Sequence, residues 1–292
     1  MGKRIRFVTD STCDIPTDMI AKHGIHVVPV FVNYNNNSYA DDGIQLQRDD
    51  YYRQLENIHP HPSSSAMSTG LAEEYILKAD KEGDHVIIIT LSTQLSGVYN
   101  AMRLAAQKLP EDRYTLIDAG NTSMALGWQV LIGIEVAEKT DGDLDAVIAA
   151  ITAVKANLRL YCALHTMEYV RRSGRVSWAQ ANIGALLQIK PIIEVDHGDV
   201  KNVGRVRTFK RAIDDLNERV RANLPLYKLA ILHANNLPDA QALGVMLKDV
   251  APADMIYVYI APAIGTNIGP GGIGVALVKE SWRNELDHAL GT

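Results

Sequence analysis

Val86-Ile87-Ile88-Ile89-Thr90 runs directly into Leu91-Ser92-Thr93-Gln94-Leu95-Ser96-Gly97, and a helical pattern follows over 98–108. A short, wholly apolar, β-branched run bounded by hydroxyl groups and glycine reads as a strand buried on both faces. The same strand–loop–helix order recurs around it. A strand is expected at 5–8. A short helix follows Thr12 or Asp14, with Pro16 in its first turn and Gly24 past its end. A strand is expected at 25–32, where Pro29 favours a sheet edge. Asn35-Asn36-Asn37-Ser38 reads as a hairpin tip. A helix is expected at 48–56, and His59-Pro60-His61-Pro62 then forces an extended loop. Ser68 caps a helix at 69–77, with Gly83 beyond it, and a strand at 114–117 precedes helices at 125–137 and 148–157. This alternation predicts a mostly parallel sheet with helices on its faces, whose functional loops lie at the carboxyl ends of its strands.

The pattern shifts after Arg159. A strand at 160–164, a helix at 166–172 and an apolar helix at 178–187 capped by Ser177 come first. Then 191–195 and 200–206 flank His197-Gly198-Asp199 as a hairpin. Helices at 210–222 and 238–247 surround a strand at 229–232. The expected division is an N-terminal α/β domain over 1–158, with a small β insertion near 30–45, and a C-terminal α/β domain over 159–292.

Composition narrows the function. The chain has 292 residues, 47% of them apolar and 22% charged, as in ordinary globular proteins. A net charge of -5 argues against nucleic-acid or anionic-membrane binding. Two cysteines, Cys13 and Cys162, are too few for a disulfide framework or a four-cysteine metal site. No apolar run approaches the ~20 residues that span a bilayer, and the N-terminus carries no signal-like segment. The expectation is a cytoplasmic protein without stable membrane insertion. The histidines are scattered, so no metal site is expected. The motifs H-E-x-x-H, C-x-x-C and G-x-S-x-G are all absent.

The segment 264–274, Ile-Gly-Thr-Asn-Ile-Gly-Pro-Gly-Gly-Ile-Gly, follows the apolar run 255–260. It reads as a tight, donor-rich loop at the mouth of a strand, because glycine lets a ligand approach the backbone N–H groups. Gly269 to Gly274 matches G-x-G-x-x-G only formally. A dinucleotide site needs a helix next and an acidic residue ~20 positions on, whereas 275–278 reads as a strand. Ser63-Ser64-Ser65-Ala66-Met67-Ser68 and Leu91 to Gly97 are two further hydroxyl-rich loops. Any one such loop is ordinary turn chemistry; together they point to a site for an anionic group. Arg171, Arg172, Arg175, Arg205, Arg207, Lys210 and Arg211 form the one basic cluster, read as a solvated surface or a docking face for an acidic partner or phosphate.

Taken in order, Thr9-Asp10-Ser11-Thr12, Ser64 to Ser68, Leu91 to Asn100, Gly174-Arg175-Val176-Ser177, Lys190-Pro191-Ile192, Arg207-Thr208 and Ile264 to Gly271 resemble the DegV family. This family comprises bacterial fatty-acid-binding proteins, among them the FakB subunits of fatty acid kinase. The resemblance runs from end to end of the chain. It implies a two-lobed α/β fold with an acyl chain between the lobes. Its carboxylate would be held by Ser64, Ser65, Ser92, Thr93, Ser96, Gly97, Thr266 and Asn267. Asn267 stands where the family usually has histidine near the carboxylate; an amide still donates a hydrogen bond but carries no proton charge. Ser64 to Ser68 keeps only the hydroxyl positions of the family's second motif.

The reading that follows is a non-catalytic carrier of a long-chain fatty acid with no cofactor. It presents the carboxylate to a partner ATP-dependent fatty acid kinase, for acyl-phosphate formation, and Arg175 and Arg207 serve partner or phosphate contact. Aliphatic side chains at 183–189 are expected to line the acyl tunnel. The alternative is a serine-dependent hydrolase or acyltransferase on an acyl substrate, with Ser65 or Ser92 as nucleophile and His233 as the base the sequence offers. A third reading is a regulatory module for another anionic small molecule.

Overall fold

The computed structural model describes residues 2–180 and 189–290. The chain begins β1 (Ile5–Asp10), α1 (Thr17–His23), β2 (His26–Val28), β3 (Phe31–Tyr34), β4 (Asn37–Ala40), α2 (Arg48–Gln54) and β5 (Ser63–Ser65). It continues α3 (Thr69–Glu82), β6 (His85–Thr90), α4 (Val98–Ala106), β7 (Tyr114–Asp118), α5 (Met124–Lys139) and α6 (Leu144–Ala156). The remainder is β8 (Leu158–Ala163), α7 (Glu168–Ser173), α8 (Ser177–Gln180), β9 (Lys190–Asp196), β10 (Asp199–Val206), α9 (Phe209–Arg221), β11 (Leu226–His233), α10 (Leu237–Met246), β12 (Ile256–Tyr259), α11 (Pro262–Ile268), β13 (Ile273–Lys279) and α12 (Trp282–Leu290).

Two sheets organise an α/β, two-lobed architecture. The first, β2-β1-β6-β7, is parallel throughout. Every residue of β6 is buried, as an apolar strand with helices over both faces must be. The second, β10-β9-β8-β13-β11-β12, is antiparallel except for its β11–β12 edge. Between the sheets lies α5, which touches β1 and β6 on one side and β8, β11 and β13 on the other. It is buried almost all round, the state expected of a helix without a polar face. Trp128 on α5 donates its indole N–H to the Ala276 carbonyl at 3.1 Å. One continuous aliphatic core therefore runs from Phe7 and Ile88 through Leu126 and Ile132 to Ala276 and Val278. The outer faces are covered by α3 and α4 on the first sheet and by α9 and α10 on the second.

Local signals account for many of the boundaries. Ser68, Asp143 and Thr208 accept first-turn N–H groups at the starts of α3, α6 and α9, as good N-caps do. Gly24 ends α1 with φ of 60°. Asn35 and Asn36 both take positive φ at the β3–β4 turn, which suits a two-residue hairpin.

Two expectations are corrected. The strand expected at 25–32 is two strands. Pro29 lacks an N–H to continue the ladder; β2 stays at the edge of the parallel sheet, and β3 leaves to form a small antiparallel sheet, β4-β3-β5. The segment 264–274 is not a loop throughout, because its first five residues belong to α11. Pro262 pre-sets the first turn, and only 269–272 form the turn before β13. The expected helix at 178–187 is described only as α8; the rest lies outside the described residues.

Helix α11 comes late in the chain but packs against β3, β5, α2 and α7. Its orphan N–H groups are met from the other end of the sequence. Asp14 accepts from Ala261 N at 2.7 Å and from the Ser123 hydroxyl at 2.6 Å. Asp41 accepts from Ala263 N at 2.8 Å. Both carboxylates are buried, and the Arg48 guanidinium lies 4.0 Å from Asp14. Desolvation pushes Asp14 up to about 6 and Asp41 up to about 7, with Arg48 and the hydrogen bonds opposing it. The Tyr51 hydroxyl pairs with Thr266 Oγ1 at 2.6 Å. Tyr52 donates to the Ile260 carbonyl at 3.2 Å and leaves no room for a side chain at Gly265.

The hairpin tip between β9 and β10 makes a second cross-lobe contact. Asn121 donates to the Val195 carbonyl at 3.2 Å. Gly198 has φ of +83°, and a Cβ built there would lie 2.1 Å from Ser92 Oγ. Gly198→Ala is expected to lower stability by about 1–3 kcal/mol through overpacking and backbone strain. Urea denaturation checks this, and an unchanged midpoint would contradict the contact.

The raised Asp41 value has a pH consequence. Its folded pKa, about 7, exceeds that of an unfolded aspartate, about 3.9. The native state therefore binds the extra proton, and this contribution to stability is lost as pH rises from about 4 to about 7. Between about pH 5 and 8 the parent should lose on the order of 2 kcal/mol more than Asp41→Asn, which cannot ionise. Denaturation series at the two pH values test this; parallel profiles would contradict it.

Candidate functional site

The carboxyl ends of the parallel strands, β5, α7 and α11 enclose a cavity of about 750 Å³, its mouth included. Val30, Leu91, Val170, Val176, Ile193 and Val195 give it aliphatic walls contributed by both lobes. Polar groups enter the lining from Thr12, Ser64, Ser65, Ser96, Thr122, Ser173, Arg175 and Asn267, and Arg175 joins Ser64, Ser173 and Asn267 into one polar side. The lining holds no histidine, cysteine or carboxylate among the described residues.

Arg175 is the centre of the polar side. Gly174 closes α7 with φ of 68°, which turns the next residue back toward the cavity. The Arg175 guanidinium donates from Nε to the Leu95 carbonyl at 3.0 Å and from Nη1 to Asn267 Oδ1 at 2.9 Å. Nη1 also donates to the Ser173 carbonyl at 3.3 Å, and Nη2 to Ser64 Oγ at 3.2 Å. All four acceptors are neutral. Among the described residues no carboxylate pairs with Arg175, and desolvation lowers its pKa. Arg175 keeps an exposed face at the cavity mouth, and a fixed cation with no counter-charge there favours an anion.

Donors surround that position. Ser64 Oγ accepts from Arg175 and, at 3.2 Å, from Asn267 Nδ2. Its own proton meets no acceptor among the described residues and is free for a ligand. Ser96 Oγ likewise accepts, from Val98 N at 3.4 Å. Asn267 is oriented by donating to the Ala263 carbonyl at 2.7 Å. Ser65 lines the cavity and accepts from Asn33 Nδ2 at 3.0 Å.

The other residues singled out in the sequence lie elsewhere. Ser92 is buried, accepts from Gln94 N at 3.2 Å and abuts Gly198. Thr93 turns its hydroxyl to Asp118 at 2.7 Å. Gly97 caps α4 outside the lining. Thr266 is buried between Tyr51 and the Pro262 carbonyl. Arg207 is exposed near the start of α9. Of the segment 183–189, all but Ile189 lies outside the described residues. His233 is buried and stacks on Tyr259, with ring centroids 4.7 Å apart, away from the cavity lining.

Sequence reasoning placed Arg175 in the basic cluster and, through the Gly174-Arg175-Val176-Ser177 motif, in partner or phosphate contact. The structure gives it partners 80, 92 and 111 positions away, on the cavity lining. Among the described residues no cluster of three or more His, Cys, Asp or Glu is placed to hold a metal ion. No described helix is long and apolar enough to cross a membrane.

These features have counterparts in known proteins. The family model described as "Uncharacterised protein, DegV family" matches residues 4–280. A DegV domain-containing protein of Streptomyces coelicolor is 31% identical over 281 residues, spanning 95% of this chain and 99% of its own length. Protein DegV of Bacillus subtilis is 29% identical over 276 residues, spanning 93% and 98%. Among solved structures, a DegV family protein from Thermus thermophilus, described for its fatty acid binding, superposes with a TM-score of 0.86 at 28% identity, over 94% of this chain and 99% of its own. DegV of Bacillus subtilis, described as a fatty acid binding protein, gives 0.82 at 27% identity, over 95% and 100%. With a family model spanning nearly the whole chain and relatives that share its two-lobed architecture, the chain belongs to the DegV family.

Proposed function

We propose that this protein binds a long-chain fatty acid between its lobes, its domains being residues 1–158 and 159–292, with the carboxylate at Arg175, Ser64 and Ser96. The observation that carries this reading is the Arg175 guanidinium, exposed at the mouth of an aliphatic cavity and held there by neutral acceptors. Each buried CH₂ contributes about 0.8 kcal/mol, so the acyl tail supplies most of the affinity. The carboxylate needs donors and a counter-charge to leave water. The fatty acid binding described for the Thermus and Bacillus relatives supports the same ligand class.

The role is that of a carrier. Among the described residues no general base lines the cavity beside Ser65, and Ser92 is buried outside the lining, which weighs against a hydrolase. We read the protein as a cytoplasmic carrier whose bound carboxylate is taken up by a separate ATP-dependent kinase. Arg205, Arg207, Lys210 and Arg211 are exposed together at the end of β10 and the start of α9, a face suited to phosphate or an acidic partner.

The protein should purify with fatty acid bound, found near-stoichiometrically by organic extraction and mass spectrometry. A clean extract from folded protein would contradict the carrier reading. Arg175→Ala and Ser64→Ala should each weaken binding by about 1.5–3 kcal/mol, the worth of a hydrogen bond to a charged group. Arg207→Ala should retain lipid but slow phosphorylation by a cognate kinase. Loss of lipid in Arg207→Ala alone would place the head group elsewhere.

A further inference from the structure

We infer that Asp41 is a positioning residue for the fatty-acid head group, acting through the single residue Ala263; this rests on the fatty-acid reading above. Asp41 follows β4 and is buried at 3% exposure. Its Oδ2 accepts from Ala263 N at 2.8 Å. The carbonyl of the same Ala263 accepts from Asn267 Nδ2 at 2.7 Å. Asn267 then donates to Ser64 Oγ and accepts from Arg175. One peptide unit on either side of Ala263 thus joins a carboxylate of the N-terminal half to the amide that orients both the serine and the arginine.

The link matters because α11 has two turns and little intrinsic stability. Its position depends on contacts from outside. Three more contacts hold the same segment: Asp14 to Ala261 N, Tyr51 to Thr266 Oγ1 and Tyr52 to the Ile260 carbonyl. Of these contacts, among the described residues, Asp41 is the one that reaches the residue whose carbonyl orients Asn267. The charged groups acting on Asp41 are Arg48, Asp14 and Asp42, and none lines the cavity. Asp41 therefore acts by geometry rather than by direct charge on the ligand. An acceptor without charge should serve.

The test measures palmitate binding by isothermal titration calorimetry in the full chain, delipidated first so that the site is empty. Asp41→Ala removes the acceptor and should weaken binding about tenfold. Asp41→Asn keeps an oxygen at the same reach and should stay within about threefold of the parent. Hydrogen exchange over 260–268, measured without ligand, should quicken in Asp41→Ala and not in Asp41→Asn. Should Asp41→Ala not fold, Asp41→Ser, whose hydroxyl is too short to reach Ala263 N, carries the same expectation. Folded Asp41→Ala with parental affinity and parental exchange would overturn the inference, as would equal loss in Asp41→Asn. A parent that binds no palmitate would instead remove the fatty-acid reading, while the ligand-free exchange comparison still tests the link.

Discussion

A buried helix end must have its amide hydrogens accepted by something. In this protein the acceptors for α11 are Asp14 and Asp41, which lie 247 and 222 positions away from their partners. The two lobes are joined where a short helix of the C-terminal half is held by carboxylates of the N-terminal half. Much of the site follows from that join. It sets Asn267 on the cavity wall, and Asn267 in turn meets Ser64 and Arg175. Removing one partner of such a pair leaves a buried polar group unsatisfied, at a cost of about 1–3 kcal/mol.

The cavity divides its work between two kinds of surface. Aliphatic walls reward chain length without direction. The polar side rewards one negative charge in one place. Arginine suits that task because its planar fork holds several neutral acceptors while its charge persists. The donors come from β5, the loop before α4, the α7–α8 turn and α11, and so from both lobes. In the proposed reading the ligand completes an interface between lobes rather than filling a pocket in one of them.

Much of this was legible in the chain. The run Val86 to Ile89, with hydroxyls and Gly97 after it, announced a central parallel strand and a loop that reaches the cavity. Gly24, Ser68 and the Asn35-Asn36 turn stand where their local chemistry requires. What the sequence hid was long-range. Pro29 was visible, but not that β3 leaves for another sheet after it. The glycines of 264–274 suggested a loop, because nothing local shows that Asp14 and Asp41 cap a helix there. Ser92 and Ser96 look alike in sequence; only the Gly198 contact and the cavity lining separate them. Arg175 was marked by its motif for partner or phosphate contact, but its place on the cavity lining depends on partners far away in the chain.

The central claim is that Arg175 awaits an anion. Palmitate labelled with ¹³C at its carboxyl group, titrated by NMR while bound, tests it most directly. A carboxylate beside the Arg175 guanidinium should stay ionised, with a midpoint below the ordinary glutamate value of about 4.3, and Arg175→Ala should raise that midpoint. A bound carboxyl with an elevated midpoint, unmoved by Arg175→Ala, would contradict the account.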